Sequence, residues 1–305
     1  VLIREMLKLK DKKAATDKIS GFIKESVTEH GRNGVIFGLS GGIDSALVAY
    51  LAVSALGKGK VLALFMPERD SSPLSRNHAY LIANSLGIEI IEINLTSVLR
   101  KIGIYRLEPQ PLFFSRSFQE KYVLNKYLRF QDKNETTFLK SQKGGEGKME
   151  IMKGNAFLRI KHRLRMIMWY YHAELRNYLV LGCCNKTEKL LGYFVKYGDA
   201  GSDVDPIADL YKTQVRELAE NIAVPKEIVE KRPAPDLMPG MTDEFALQMP
   251  YEKIDIILCG LENGLDEDEI LKEASATKKD LEYIKILMKL AHQMNIVPPC
   301  PKIND

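Results

Sequence analysis

Val35-Ile-Phe-Gly-Leu-Ser40-Gly-Gly-Ile-Asp-Ser45, running on into the apolar stretch Ala46 to Leu56, decides the fold. The first five residues are rich in β-branched and aromatic side chains and read as a buried strand; the glycine pair reads as a turn and the apolar run as a helix. Glycines at such a turn let backbone N–H groups approach a phosphate without Cβ obstruction, and the following helix points its positive end at the same spot. Gly38, Leu39, Ser40, Gly41, Gly42, Ile43, Asp44 and Ser45 are therefore the candidate nucleotide loop, with Ser40 and Ser45 adding hydroxyl donors. Asp44 would repel a bare phosphate, so its place there makes sense only if it holds a cation bridging to that phosphate. A β-α turn merely capped by Asp44 or Ser45 is the plain alternative. The whole S-G-G-x-D-S string between a buried strand and an apolar helix favours nucleotide binding. The string G-x-x-x-x-G-K-[ST] is absent, so transfer of a γ-phosphate is not the expected chemistry.

Outward from the loop, the pattern of strand and helix repeats. Residues 13–30 predict an amphipathic helix ahead of the first strand, with Ile19, Phe22, Ile23 and Val27 on one face. Strands are expected at Val61 to Met66, Ile88 to Ile93 and Tyr178 to Leu181, with helices running to Leu86 and to Ile102 and over 154–176, 186–191 and 211–222. Alternation of buried-type strands with helices predicts an α/β fold, a Rossmann-like parallel sheet with helices on both faces. Residues 1–305 are read as one domain. Residues 105–150 interrupt the alternation with Pro109, Pro111, Gly144, Gly145 and Gly147, and are expected to form a variable, partly mobile insertion that covers a site, a lid or disordered loop rather than a nucleic-acid surface. Residues 251–305 form a C-terminal helical part, in which the acidic run Asp266 to Glu269 reads as a solvated helix start rather than a metal cluster.

Composition narrows the class. Of 305 residues, 45% are hydrophobic and 28% charged, the balance of a globular chain with a full core; a net charge of +4 is too small to argue for nucleic-acid binding. The N-terminus is broken by charge throughout and lacks a signal peptide's apolar core; the longest apolar run falls far short of the ~20 residues of a membrane span. A soluble, cytoplasmic protein is expected, without membrane or nucleic-acid partners. The four cysteines show no C-x-x-C spacing, and a structural disulfide is not expected.

The S-G-G-x-D-S string resembles the pyrophosphate loop of the ATP pyrophosphatase superfamily (adenine nucleotide alpha hydrolase-like), whose members split ATP between its α and β phosphates. The second half of the chain narrows the resemblance. Gly182-Cys-Cys-Asn-Lys-Thr-Glu188, Leu191-Gly-Tyr-Phe-Val-Lys-Tyr-Gly-Asp-Ala-Gly-Ser-Asp203, Asp205-Pro-Ile-Ala-Asp-Leu-Tyr-Lys212, Pro235-Asp-Leu237 and Tyr251-Glu-Lys-Ile-Asp255 are similar, in this order, to the ammonia-dependent NAD synthetase family. The resemblance covers about 34–104 and 154–300. It implies Asp44, Glu188 and Lys212 as the catalytic residues, with Asp44 and Glu188 as Mg2+ ligands and Lys212 touching ATP. It also implies Cys183 and Ala234 beside ATP, and Arg163, Lys196, Asp203 and His292 on deamido-NAD. Arg159 and Arg163, four apart on one predicted helix, could form an anion-binding stripe or an ordinary salt-bridged surface.

The chemistry implied has two steps: ATP adenylates the carboxylate of deamido-NAD, and ammonia then displaces AMP. No glutaminase portion is evident in the chain, so free ammonia, or ammonia from a separate protein, is the expected nitrogen source; a homodimer is expected by the same resemblance. The sequence also departs from the family. Cys183 and Ala234 stand where hydroxyl residues are common, each removing a hydrogen bond worth roughly 0.5–1.5 kcal/mol. Arg159 replaces a usual Asn, and His292-Gln293 a His-Lys pair. A related amide synthetase acting on another carboxylate, an RNA-modifying pyrophosphatase and a non-catalytic nucleotide-binding protein are the alternatives.

Overall fold

The structure, a computed structural model, describes residues 2–108, 115–132, 135–295 and 300. Helices α1 (Ile3–Leu7) and α2 (Lys12–Glu29) precede strand β1 (Gly34–Gly38), and α3 (Ile43–Leu56) leads to β2 (Val61–Phe65). Helix α4 (Pro73–Leu86) leads to β3 (Glu89–Glu92), followed by α5 (Thr96–Ile102), α6 (Arg116–Leu128), α7 (Thr137–Gln142) and the long α8 (Met149–Arg176). Strand β4 (Tyr178–Val180) is followed by α9 (Lys186–Leu191), α10 (Lys212–Asn221), α11 (Lys226–Val229), α12 (Asp243–Leu247), α13 (Tyr251–Glu262), α14 (Glu267–Ala274) and α15 (Lys278–Asn295).

The four strands form one parallel sheet in the order β3-β2-β1-β4, with Val35 opposite both Val61 and Leu179. Alternation along β1 builds the layers. Val35 and Phe37 point into a core shared with α2, α3, α4 and α10, while Ile36 points the other way into a core with Leu99, Phe157 and Trp169 from α5 and α8. Both faces are thus covered, as the buried character of β1 and β2 predicts. Strand β3 differs: it is one edge of the sheet, and Glu89 and Glu92 stand exposed at its ends, where charge discourages pairing with another sheet.

Local signals set the helix ends. Ser72 caps α4, with Pro73 in the first turn and Gly87 in the left-handed conformation at the end. Asp266 accepts from the backbone N–H of Asp268 at 2.9 Å, so the acidic run is a helix start as read. Helix α8 begins at Met149, five residues ahead of the expected start, inside the segment predicted as a loop. The described part of 105–150 is otherwise largely α6 and α7. All four cysteines are free, and no helix among the described residues is long and apolar enough to cross a membrane.

Helices α1, α13, α14 and α15 bury a further apolar cluster around Tyr251, Ile254, Ile257, Ile284 and Leu287. Asp255 of α13, fully buried, joins this unit to the sheet domain. Its carboxylate accepts from the Thr187 hydroxyl at 2.6 Å and the Thr213 N–H at 2.8 Å, and Thr187 Oγ1 accepts from the Lys212 N–H at 2.9 Å. The starts of α9 and α10 are therefore held by one buried carboxyl. Burial pushes that carboxyl up to about 6 from its ordinary 3.8, more than its hydrogen bonds pull it down. A carboxyl raised by folding favours the folded state while protonated; that contribution is whole below 3.8 and is lost as pH rises through about 6. Asp255→Asn should accordingly gain stability relative to the parent between pH 4 and pH 7, measured by urea unfolding at several pH values; parallel profiles would count against the buried acid.

Candidate active site

The chain leaves β1 through α3 towards β2, while β4 lies on the other side of β1, so the strand order reverses at β1. Beyond the carboxyl ends of β1 and β4 such a reversal opens a crevice, where open α/β sheets take their ligands. The glycine loop lies in this crevice. Gly41 has φ 74°, and a Cβ there would come within 2.5 Å of the Ser75 carbonyl on α4, so backbone conformation and close packing both require glycine. Gly42 is the N-cap of α3 and brings no capping side chain, leaving the first-turn N–H groups open to an anion. Asp44 and Ser45 are therefore not the caps of this helix. Ser40 and Ser45 brace the loop: their hydroxyls lie 3.1 Å apart, the Ser40 N–H donates to Ser45 Oγ at 3.2 Å, and the Gly42 N–H donates to Ser40 Oγ at 3.2 Å. Gly38 ends β1 against the indole of Trp169, which would lie 2.7 Å from a Cβ there. The Trp169 Nε1–H is buried without a hydrogen-bond acceptor.

Across the crevice, Asp44 meets two partners from distant segments. Asn185 Nδ2 donates to Asp44 Oδ1 at 2.9 Å, and Lys212 Nζ donates to Asp44 Oδ2 at 2.5 Å. Glu188 Oε1 lies 3.9 Å from the same ammonium. Asn185 and Glu188 fix each other through a capping box: the Glu188 N–H donates to Asn185 Oδ1 at 3.0 Å and the Asn185 N–H to Glu188 Oε2 at 3.1 Å. Burial, reinforced by the nearby Asp44 charge, pushes the Glu188 carboxyl well above the usual carboxylate range. Burial works against the charged form of Lys212, but Asp44 and Glu188 outweigh it and raise its pKa, so the ammonium stays charged. Its Nζ also lies 5.3 Å from the Tyr251 ring centroid. Asp243, raised by burial, accepts from the hydroxyls of Tyr251 at 3.0 Å and Tyr193 at 3.1 Å and completes the acidic side of the crevice.

The crevice widens into a cleft of about 420 Å³ lined by the whole loop except Gly41, together with Asp44, Cys183, Glu188, Lys212 and Ala234. Cys183 Sγ lies 4.0 Å from the Gly38 carbonyl, and burial pushes its thiol up, so it is a neutral wall. The structure does not bring Arg163, Lys196, Asp203 or His292 into this cleft. Arg163 Nε donates to the Lys196 carbonyl at 3.4 Å; His292 is exposed on α15. Asp203 accepts the Val180 N–H at 2.8 Å and the Tyr170 hydroxyl at 3.0 Å, tying β4 to α8. Of the pair Arg159 and Arg163, only Arg159 faces the cleft.

Beyond the residues expected from the sequence, His162, Asp199 and Lys231 also line the cleft, and Asn185 stands beside it on Asp44. Asn185 was legible in principle, since an Asn three residues before a Glu is a helix-start signal. His162 and Asp199, with Nδ1 3.5 Å from Oδ1, meet only through the fold. The far wall comes from the 105–150 segment and the start of α8: Tyr127 and Phe130 at and just after the end of α6, Phe138 and Gln142 of α7, and Ile151 and Asn155 of α8. It is tied to the body by the Tyr127 hydroxyl on the Ala246 carbonyl at 3.2 Å and by Thr136 Oγ1 on the Tyr283 hydroxyl at 3.2 Å.

Comparison with known proteins places this architecture. The family model described as NAD synthase matches residues 15–110 and 115–295. The NH(3)-dependent NAD(+) synthetase of Thermotoga maritima is 46% identical over 267 residues, 87% of this chain and 94% of that protein. That of Methanocaldococcus jannaschii is 39% identical, covering 94% of this chain and 96% of its own. Among solved structures, NMN synthetase from Francisella tularensis matches with TM-score 0.69 at 27% identity over 96% of this chain and 99% of that one. NH3-dependent NAD synthetase from Campylobacter jejuni, solved with a nitrate ion, matches with TM-score 0.65 at 27% identity over 96% and 100%. With its glycine loop at the strand-order reversal and this match along nearly its whole length, the chain belongs to the NAD synthase family.

Proposed function

We propose that the chain is an ammonia-dependent NAD synthetase, converting deamido-NAD, ATP and ammonia to NAD, AMP and pyrophosphate. An acid, a lysine and a second acid meeting at the mouth of an open helix N-terminus carry this assignment. A carboxylate is a poor electrophile, so its oxygen first attacks the α-phosphorus of ATP. The bond to the bridging oxygen breaks, and pyrophosphate leaves with the electron pair. Ammonia then adds to the acyl carbon, loses a proton, and AMP departs. The first-turn N–H groups of α3 and the Lys212 ammonium face the charge that develops on the phosphates, and because they are already held in place little reorganisation opposes the step. Asn185 keeps Asp44 and Glu188 apart and correctly turned.

The two carboxylates fit a hard divalent cation. Both lie around one ammonium, Glu188 is strongly disfavoured as an anion without a positive partner, and oxygen donors suit Mg2+ completed by phosphate oxygens. Mg2+ held by Asp44 and Glu188 would neutralise phosphate charge and polarise the α-phosphorus. Glu188→Gln should lower AMP and NAD formation on the order of 10²- to 10³-fold, read by separating nucleotide products, while the thermal unfolding midpoint stays close to the parent's. ADP as product, or unchanged turnover, would reject the assignment. Offered side by side, deamido-NAD should be the better acceptor than the deamido mononucleotide; the opposite preference would transfer the reading to mononucleotide amidation.

The residues carried over for the dinucleotide, Arg163, Lys196, Asp203 and His292, remain proposals, and their position outside the cleft fits a site completed by a second subunit. Ile167, Tyr171 and Leu175, spaced by four on α8, are 55%, 56% and 63% exposed. An exposed apolar stripe at helical spacing is the signature of a buried partner face, so it supports a homodimer. Leu175→Asp should shift the chain towards monomer in analytical ultracentrifugation and raise KM for the dinucleotide more than for ATP; an unchanged dimer would remove the stripe from the interface.

A further inference from the structure

Lys231 is a cation at the glycine loop that the mechanism above leaves unused. Its Nζ donates to the Gly41 carbonyl at 3.2 Å and to Ser75 Oγ at 3.4 Å, both neutral acceptors. Among the described residues it forms no ion pair, whereas the other cleft lysine at the loop, Lys212, is already matched by Asp44 and Glu188. Its placement is built rather than accidental. On one side, Ile228 and Val229 of α11 are buried in the sheet core; on the other, Asp236 accepts the Ser72 N–H at 2.9 Å, and the Leu237 carbonyl accepts from the buried Lys161 ammonium at 3.0 Å. A segment pinned at both ends thus lays one ammonium across the backbone of the loop. An ammonium partly withdrawn from water and held by two neutral dipoles is undersupplied with negative charge, and a polyphosphate on the loop supplies it.

We propose that Lys231 is a catalytic residue that grips the departing pyrophosphate, turning from the Gly41 carbonyl to the β- and γ-phosphate oxygens. This deepens the synthetase reading and rests on it. When the bond between the α-phosphorus and its bridging oxygen breaks, the electron pair goes to the β-phosphate, and the charge on pyrophosphate rises; no proton moves. Lys231 then faces the leaving group from the α4 side of the loop, while Lys212 faces the triphosphate from the α10 side. The two lysines divide the work: Lys212 is shared with the acids that would hold the metal, whereas Lys231 is paired with neither of them, feels only the more distant charge of Asp236, and is left to the phosphates.

Steady-state kinetics of Lys231→Ala and Lys231→Arg test this, with pyrophosphate and AMP as separate product inhibitors. Lys231→Ala should lower kcat/KM for ATP about 100-fold, the usual order for one positioned donor to a developing anion. The inhibition constant for pyrophosphate should rise about tenfold, corresponding to one lost charged hydrogen bond, while that for AMP stays put and Lys231→Arg recovers most of the loss. Because the side chain hydrogen-bonds only to two neutral acceptors, thermal unfolding without nucleotide should be nearly unchanged. Should Lys231→Ala fail to fold, Lys231→Gln, which keeps a donor and loses the charge, should show the same selective rise for pyrophosphate, and a parental value there would overturn the role. Parental turnover and pyrophosphate inhibition in Lys231→Ala would overturn the proposal, as would an equal rise in both inhibition constants, which marks a distorted cleft. If the parent protein releases AMP and pyrophosphate but Lys231→Ala behaves like it, only this inference falls; if the parent releases neither, the synthetase reading falls and takes Lys231 with it.

Discussion

A carboxylate and an ammonium, Asp44 and Lys212, meet in a nearly closed crevice, with the lysine side chain 4% exposed and the aspartate 18%. Taking both charges out of water is costly, and their attraction repays that only where the geometry is good and the remaining lone pairs are satisfied. Both conditions hold: Asn185 occupies the other oxygen of Asp44, and Glu188 balances the lysine from its far side. Deleting one partner of such a pair leaves a buried uncompensated charge and typically costs about 3–5 kcal/mol. The pair is therefore weak as a source of stability and strong as a constraint on shape: the glycine loop, α9 and α10 can only be where these three groups meet.

That constraint explains the surrounding architecture. Asn185 serves α9 as its cap and Asp44 as its hydrogen-bond donor, so the end of a helix and the orientation of an acid are one decision. Asp255 repeats the logic from behind, holding the threonine hydroxyl that in turn receives the Lys212 N–H. The C-terminal helices thus reach the site through the hydrogen bonds of Asp255 and through Tyr251, which lies against the Lys212 ammonium and donates to Asp243. Moving α13 by an ångström would move Lys212, and with it the charge balance around Asp44.

Much of this was readable from the chain because it is local. Strand β1, the turn and α3 are contiguous, the chemical oddity of an aspartate in a phosphate loop demanded a cation, and the buried run at Val61 had the composition of a covered strand. Other parts depend on pairs far apart along the chain. Asp44 and Lys212 are separated by 168 positions and Lys231 and Gly41 by 190, and no spacing announces such meetings. Order in the 105–150 segment escaped notice for a different reason: α6 has no fully buried residue, so its apolar periodicity is weak, and α7 is only six residues long. Asp203, assigned to the dinucleotide by resemblance, also accepts the Val180 N–H, a tie between segments that only the fold reveals. At β3 the apolar centre was visible, but only the sheet order reveals that its two glutamates mark an edge.

The indole packed on Gly38 has a practical corollary. Trp169 is the only tryptophan in the chain, and it stands where β1 hands over to the glycine loop. Indole emission responds to nearby polarity and to whether the ring nitrogen finds an acceptor, and this nitrogen finds none within the fold. The protein thus carries a built-in optical gauge at the strand end, free of background from any second fluorophore of its kind, through which loading of the cleft can be followed in real time without a label.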